Sequence, residues 1–339
     1  MTIPASLPDN DSHPRRVNII YLGGSVQTLL PFLKSLIDLT ELPLRLVANA
    51  CDNREEQILS DICENSPQLE FYSLKSVDRI EHGKVLDHLL SIEQSDLFCF
   101  MDSDIFAAGP VTLSDIAPPS GEAAITSCLP GWCLEADTIM PESYNVMEGA
   151  YTKSANGHFL GCSYLAAYRT EPLRKLVEEE SLSFQPYQRK VLPEGVLSIL
   201  SELGFRQHSF DTAKVINLML QHRGHKMSYQ PIDGLIHLGG ANRLVRENEQ
   251  WYKNTLRSIV PQSLLNNIRR IRFNYTKPES EDRADFFLRQ SEFWELLEEL
   301  SNGPPFAEPT MKMISKHSYL QKICEQFATY GNGDGRWSQ

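Results

Sequence analysis

Leu97-Phe98-Cys99-Phe100-Met101 is a run of five apolar residues that ends on Asp102-Ser103-Asp104, and no other stretch constrains the fold as tightly. The run is short for a helix and has no polar alternation, so it reads as a strand covered on both faces. Strands of that kind belong to parallel sheets sandwiched between helices. Successive strand side chains point to opposite faces, so if the extended geometry persists, Asp102 and Asp104 project the same way. Two carboxylates on one side at the carboxyl end of a buried strand are half a site for a hard divalent cation, which can in turn hold a diphosphate. The alternative is a charged turn after a core strand. Spacing alone does not decide, because Asp9-Asn10-Asp11 repeats the pattern in a polar, proline-flanked N-terminus with no strand before it and reads as solvated tail.

The flanking sequence supplies the rest of a sheet. Val17 to Leu22 reads as a first strand, and Gly23-Gly24-Ser25 follows where a sharp turn or close backbone approach needs residues without bulk. From Val26 to Leu39 the positions Leu29, Leu30, Phe32, Leu33, Leu36 and Ile37 recur at helical spacing, with Pro31 expected in the first turn. Leu44 to Ala48 is a second strand ending near Asp52, Glu55 to Glu64 a second helix, Leu69 to Leu74 a third strand, and Gly83 to Ile92 a third helix. Strand, helix, strand, helix, strand, helix, strand is the rhythm of a mostly parallel α/β sheet, whose ligands bind beyond the carboxyl ends of the strands. Gly23-Gly24-Ser25, Asp52 and the Asp102/Asp104 pair all fall at such ends.

After Pro118-Pro119-Ser120-Gly121 the pattern is mixed. Ala123 to Thr126 and the stretch Gly157 to Arg169 each hold a strand, Pro193 to Leu203 and Thr212 to His222 read as helices, and Asp211 is placed to cap the second. Leu235-Ile236-His237-Leu238-Gly239-Gly240 closes this part. Helical patterns return over Asn248 to Arg272, Asp285 to Leu300 and Met311 to Tyr330. The chain therefore divides into a tail (1–16), a first α/β half (17–120), a second half (121–244), a C-terminal helical region (245–330) and a short tail (331–339).

At 339 residues the chain can bury a sizeable core. Its net charge of -12, with no block of lysine or arginine, excludes a phosphate-backbone tracker, so no nucleic-acid partner is expected. An acidic protein that binds a diphosphate needs local positive charge, for which a metal ion is the direct source. Met1 to Arg16 lacks the apolar core of a secretory signal and no stretch approaches a membrane span, so no transmembrane segment and a cytoplasmic location are expected. The seven cysteines are odd in number and scattered, and read as reduced thiols.

These residues resemble the GT-A glycosyltransferases, in particular the large inverting family that transfers sugars from nucleotide donors. The resemblance covers roughly Val17 to Gly240, and its most specific stretch is Glu81-His82-Gly83-Lys84-Val85-Leu86-Asp87 ahead of Phe100-Met101-Asp102-Ser103-Asp104. It implies a GT-A sheet with a C-terminal helical appendage. It also implies that Gly23, Gly24, Ser25 and Asp52 hold the nucleoside, that His82, Lys84, Asp87 and Ser103 lie on the donor side, and that Asp102 and Asp104 hold Mn²⁺ or Mg²⁺. His237 resembles a late histidine that completes the metal shell, with Gly239 and Gly240 letting backbone approach the diphosphate; a hydrogen-bonded surface histidine is the alternative.

Phe210-Asp211-Thr212 is similar to the segment that carries the inverting family's general base, although the paired Glu-Asp of that family is absent. Asp211 is thus either base or helix cap, or both. His158, Arg54, Trp132 and Trp251 each have an acceptor-side or phosphate reading beside a plain surface or packing one. The expected function is metal-dependent transfer of a sugar from a nucleotide donor, UDP-linked, to an acceptor that the sequence does not name. The alternatives are a sugar-phosphate nucleotidyltransferase, disfavoured because Gly23-Gly24-Ser25-Val26-Gln27 has no basic residue, and a non-catalytic nucleotide-sugar-binding scaffold.

Overall fold

The computed structural model describes residues 14–127, 129–130, 157–158, 160–161, 164–206, 208–230, 232 and 234–237. Expectations for Gly239, Gly240, Trp132, Trp251 and the C-terminal helices lie outside the described residues. The first half runs β1 (Arg16–Leu22), α1 (Val26–Leu39), β2 (Leu44–Asn49), α2 (Asn53–Glu64), β3 (Leu69–Ser73), α3 (His82–Ile92), β4 (Leu97–Met101), β5 (Ile105–Ala107) and α4 (Leu113–Ile116). The second runs β6 (Ala124–Ser127), β7 (Leu129–Pro130), β8 (Leu165–Arg169), α5 (Thr170–Glu180), β9 (Tyr187–Gln188), α6 (Glu194–Glu202), β10 (Ser209–Phe210), α7 (Lys214–His222), β11 (Met227–Gln230) and β12 (Leu235–His237).

Seven strands form one sheet in the order β11-β6-β8-β4-β1-β2-β3. β1 lies parallel to both β2 and β4, β2 to β3, and β11 to β6, whereas β8 runs antiparallel to its neighbours β4 and β6. The sheet is thus mostly parallel with one reversed strand. Alternation along each strand divides the core into two layers. Val17, Ile19 and Tyr21, with Leu97, Cys99 and Met101, face Leu29, Leu33 and Leu36 of α1 and Leu59 and Ile62 of α2. Phe98, Phe100 and Tyr168 face the opposite way, onto α3, α5, α6 and α7. There Phe184 completes an aromatic cluster, with ring centroids 5.5 Å from Phe98 and 5.7 Å from Phe100. Contacts of that kind contribute roughly 0.5–1.5 kcal/mol per pair beyond area burial.

Local sequence explains most boundaries. α2 begins at Asn53 because Asp52 and Glu55 form a reciprocal capping box. Pro31 corrects an expectation, since it lies inside α1 rather than in its first turn; the fixed φ of proline suits a helix, and the missing N–H costs one internal hydrogen bond. A second correction concerns α7, which starts at Lys214 behind Ala213 in a left-handed conformation (φ 66°), so Asp211 is not its cap. Instead Asp211 Oδ1 accepts the N–H of Thr212 at 2.8 Å.

A separate three-stranded sheet, β5-β12-β7, follows directly from β4. β12 runs antiparallel to β5 with His237 opposite Ile105. This pairing carries a late histidine to the residue after Asp104. Among the described residues, no helix is long and apolar enough to cross a membrane.

Candidate metal and nucleotide site

At the carboxyl rim of the large sheet the chain leaves β4 through a tight turn. The N–H of Asp102 donates to the carbonyl of Tyr164 at 2.7 Å, and the N–H of Ile105 to the carbonyl of Asp102 at 3.2 Å. The turn sets both carboxylates against the imidazole from β12. His237 Nε2 lies 3.1 Å from Asp104 Oδ1 and 3.3 Å from Asp102 Oδ2. Asp104 and His237 are buried, at 3% and 7% exposed, while Asp102 remains partly open. Tyr164 stacks its ring on the imidazole, with centroids 4.1 Å apart and planes within 16°.

Such a group of charges calls for a cation at its centre. Burial alone would depress the His237 imidazole, but the Asp104 and Asp102 carboxylates outweigh it and push it up to about 9. A proton is therefore held where a metal ion fits. One ligand atom from each of Asp102, Asp104 and His237 falls within 4.8 Å of the others, an arrangement that can hold a metal ion. Hard carboxylate oxygens with one imidazole suit Mn²⁺ or Mg²⁺ better than a thiophilic ion. Between the carboxylates Ser103 Oγ is buried with no hydrogen-bond partner among the described residues.

The sign of the pH effect follows. Folding raises the His237 value above its ordinary 6.5, so the metal-free protein has this stabilisation in full below about pH 6.5 and loses it as pH rises towards 9. Urea midpoints of metal-free wild type should fall across that window more steeply than those of His237→Gln. Metal binding needs the neutral imidazole, so Mn²⁺ affinity should rise over the same range. Parallel midpoint curves for the two proteins would contradict this.

The neighbouring strand ends are held by contacts within the chain. Gly23 has no room for a side chain, since a Cβ there would lie 1.9 Å from the carbonyl oxygen of Ala50, so the loops after β1 and β2 touch. Gly23→Ala should cost about 1–3 kcal/mol in urea unfolding through forced backbone displacement. Gly195→Ala is the control, because nothing lies within 4 Å of a Cβ there and alanine favours the helix. Equal stability of the two variants would refute the close approach. Ser25 is buried and its hydroxyl donates to the carbonyl of Leu22 at 2.6 Å. The N–H of Gly24 donates to both Glu55 carboxylate oxygens, at 2.9 and 3.0 Å, and that of Val26 to one of them at 3.2 Å.

Glu55 thus ties the first loop to α2, a role the sequence reading missed. The Asp52-x-x-Glu55 spacing of a capping box was its available signal. Asp52 is exposed at the rim, where its Oδ1 accepts the Glu55 N–H at 2.8 Å. On α3, exposed Lys84 pairs with Glu81 at 2.8 Å, and His82 meets the ring of Phe100 edge-on at 6.4 Å. Asp87 Oδ1 accepts the N–H of Phe184 at 2.8 Å, and burial raises its carboxyl above the usual range. The carbonyl of Phe184 in turn accepts the N–H of Ala213. Asp87 therefore supports the turn that carries Asp211. Tyr164 also went unnoticed in the sequence, where nothing distinguishes it from other strand aromatics.

The structure brings Asp102, Asp104 and His237 into one cluster at the carboxyl rim of a mostly parallel α/β sheet, which is a candidate divalent-cation site. No protein-family model and no curated protein sequence matches the chain. Among solved structures it is similar to the galactosyltransferase LgtC in complex with donor and acceptor sugar analogs (11% identity, TM-score 0.38, 63% of this chain and 73% of that one). It is also similar to a mannosyltransferase from Pyrobaculum calidifontis in complex with GDP-Man and Mn²⁺ (12% identity, TM-score 0.40, 97% and 90%). A third is the glycosyltransferase GlyE of Streptococcus pneumoniae (10% identity, TM-score 0.37, 64% and 45%). With every one of these scores under 0.5, the chemistry of the site has to be read from its own geometry.

Proposed function

We propose that this protein is a metal-dependent glycosyltransferase of GT-A type that moves a sugar from a nucleotide donor, UDP-linked, to an acceptor. The observation that carries the reading is the Asp102, Asp104 and His237 cluster at the carboxyl rim of the sheet. These residues would hold Mn²⁺ or Mg²⁺, which when bound supplies a Lewis acid for the leaving diphosphate and a template for its oxygens. Asp52, exposed at the end of the adjoining strand pair, is assigned to the nucleoside, together with the loop that Gly23, Gly24 and Ser25 form. His82, Lys84 and Ser103 are assigned to the donor side, and Gly239 and Gly240 to the diphosphate.

Residues 17–120 are read as the donor half and 121–244 as the acceptor half. Transfer with inversion needs a base opposite the leaving group, and Asp211 is assigned that task through an oxocarbenium-like transition state. Supporting the assignment, Asp211 is exposed on a turn that includes the left-handed Ala213, a backbone state that non-glycine residues adopt at a cost. The nucleotidyltransferase alternative gains nothing, since the N–H groups of Gly24 and Val26 are already engaged by the anionic Glu55.

A thermal-shift panel of nucleotide sugars with Mn²⁺, followed by assays of hydrolysis and transfer, tests the proposal. Stabilisation by a UDP-sugar that EDTA removes, with slow release of free sugar, is the expected result. Stabilisation that survives EDTA would overturn the metal reading. Metal-dependent binding without any hydrolysis or transfer would favour a scaffold.

A further inference from the structure

The metal ligands come from two sheets, and the residue that joins them carries no charge. Tyr164 immediately precedes β8, the reversed strand, and touches the site twice. Its backbone carbonyl accepts the N–H of Asp102 at 2.7 Å, and its ring lies flat on the imidazole of His237 at 4.1 Å and 16°. Both rings are nearly buried, each residue being 7% exposed.

We infer that Tyr164 is a positioning residue for the metal site, acting through its ring on His237. This rests on the metal reading given above. A histidine ligand must keep its ring in one orientation, and rotation about its outer side-chain bond is a broad, soft motion. Here a parallel aromatic face restricts that rotation, because turning the imidazole would lose the stack. With the ring held, Nε2 stays aimed between Asp104 Oδ1 and Asp102 Oδ2. The hydrogen bond to Asp102 comes from the main chain of Tyr164, so side-chain substitutions preserve that donor and acceptor pair and isolate the ring.

The test is titration of the full chain with Mn²⁺ alone, followed by the paramagnetic resonance of the free ion. Tyr164→Phe keeps the stack and should bind close to wild-type strength. Tyr164→Leu fills space without a planar face and should bind about 10–100-fold more weakly, the loss that follows removal of a partner that orients a ligand. In a His237→Ala background the same Tyr164→Leu change should have no further effect, because the ring acts through the imidazole.

Wild-type affinity in Tyr164→Leu would overturn the inference, as would an equal loss with and without His237, which would mark the ring as general packing. Should Tyr164→Leu fail to fold by circular dichroism, Tyr164→Met carries the same comparison with a more adaptable side chain. Wild-type protein that takes up no Mn²⁺ would overturn the metal reading and this inference with it. Loss confined to the Tyr164 variants, beside a wild type that binds, separates the two.

Discussion

Asp104→Ala should abolish Mn²⁺-dependent UDP binding while the fold survives. Asp104 is 3% exposed and supplies the carboxylate oxygen closer to His237 Nε2, so its loss removes the most enclosed ligand of the cluster. In a protein of net charge -12, a diphosphate placed against Asp102 without a bridging cation meets only repulsion. Removing a partner that merely orients a ligand costs about 10–100-fold in metal affinity, and removing a ligand should cost more. The imidazole can release its proton when the carboxylate goes, so no unpaired charge need remain buried. Calorimetry with UDP, in Mn²⁺ and in EDTA, is the measurement. Wild type should bind only with the metal and the variant in neither condition. Undiminished binding in Asp104→Ala would remove the basis of the proposed function.

Asp211→Asn should slow transfer by about 10²- to 10⁴-fold without weakening the donor complex. Asparagine keeps an oxygen that can accept the Thr212 N–H, now taken by Asp211 Oδ1, so the turn should persist. Because α7 is headed by Ala213 rather than by Asp211, the helix itself does not depend on this side chain. What the change removes is the proton acceptor. Labelled UDP-sugar with an acceptor panel gives the rate, and calorimetry gives the donor affinity. Near wild-type transfer would place the base elsewhere and leave inversion without a named residue.

The first half of the fold was legible because each element there is decided locally. Leu97 to Met101 has no polar residue to confuse strand with surface, and the helical spacing over Val26 to Leu39 matches the bounds of α1. The second half was harder. β5 has only three residues and owes its existence to β12, a partner remote in sequence, and β11 (Met-Ser-Tyr-Gln) has no pattern of its own and pairs at the edge of the sheet. α5 is a different case: Leu173, Leu176 and Val177 recur at helical spacing, and the signal was there to read.

In the site, spacing pointed to Asp102 and Asp104, and the adjacent glycines drew notice to His237. Glu55 and Tyr164 escaped, the first because its capping signature was not followed into the neighbouring loop. The second escaped because a stacking partner is defined only by the packed chain. Asp211 was half legible, its position correct and its capping role displaced by one strained alanine.

The β5–β12 pairing also bears on how the molecule is made. During synthesis Asp102 and Asp104 leave the ribosome long before His237, and closing so large a loop is entropically costly and slow. A nascent chain that ends before β12 has the carboxylates but lacks the imidazole that completes the cluster. Uptake of a divalent cation by all three ligands is therefore a sign of maturity, acquired only after the ends of the described chain have met.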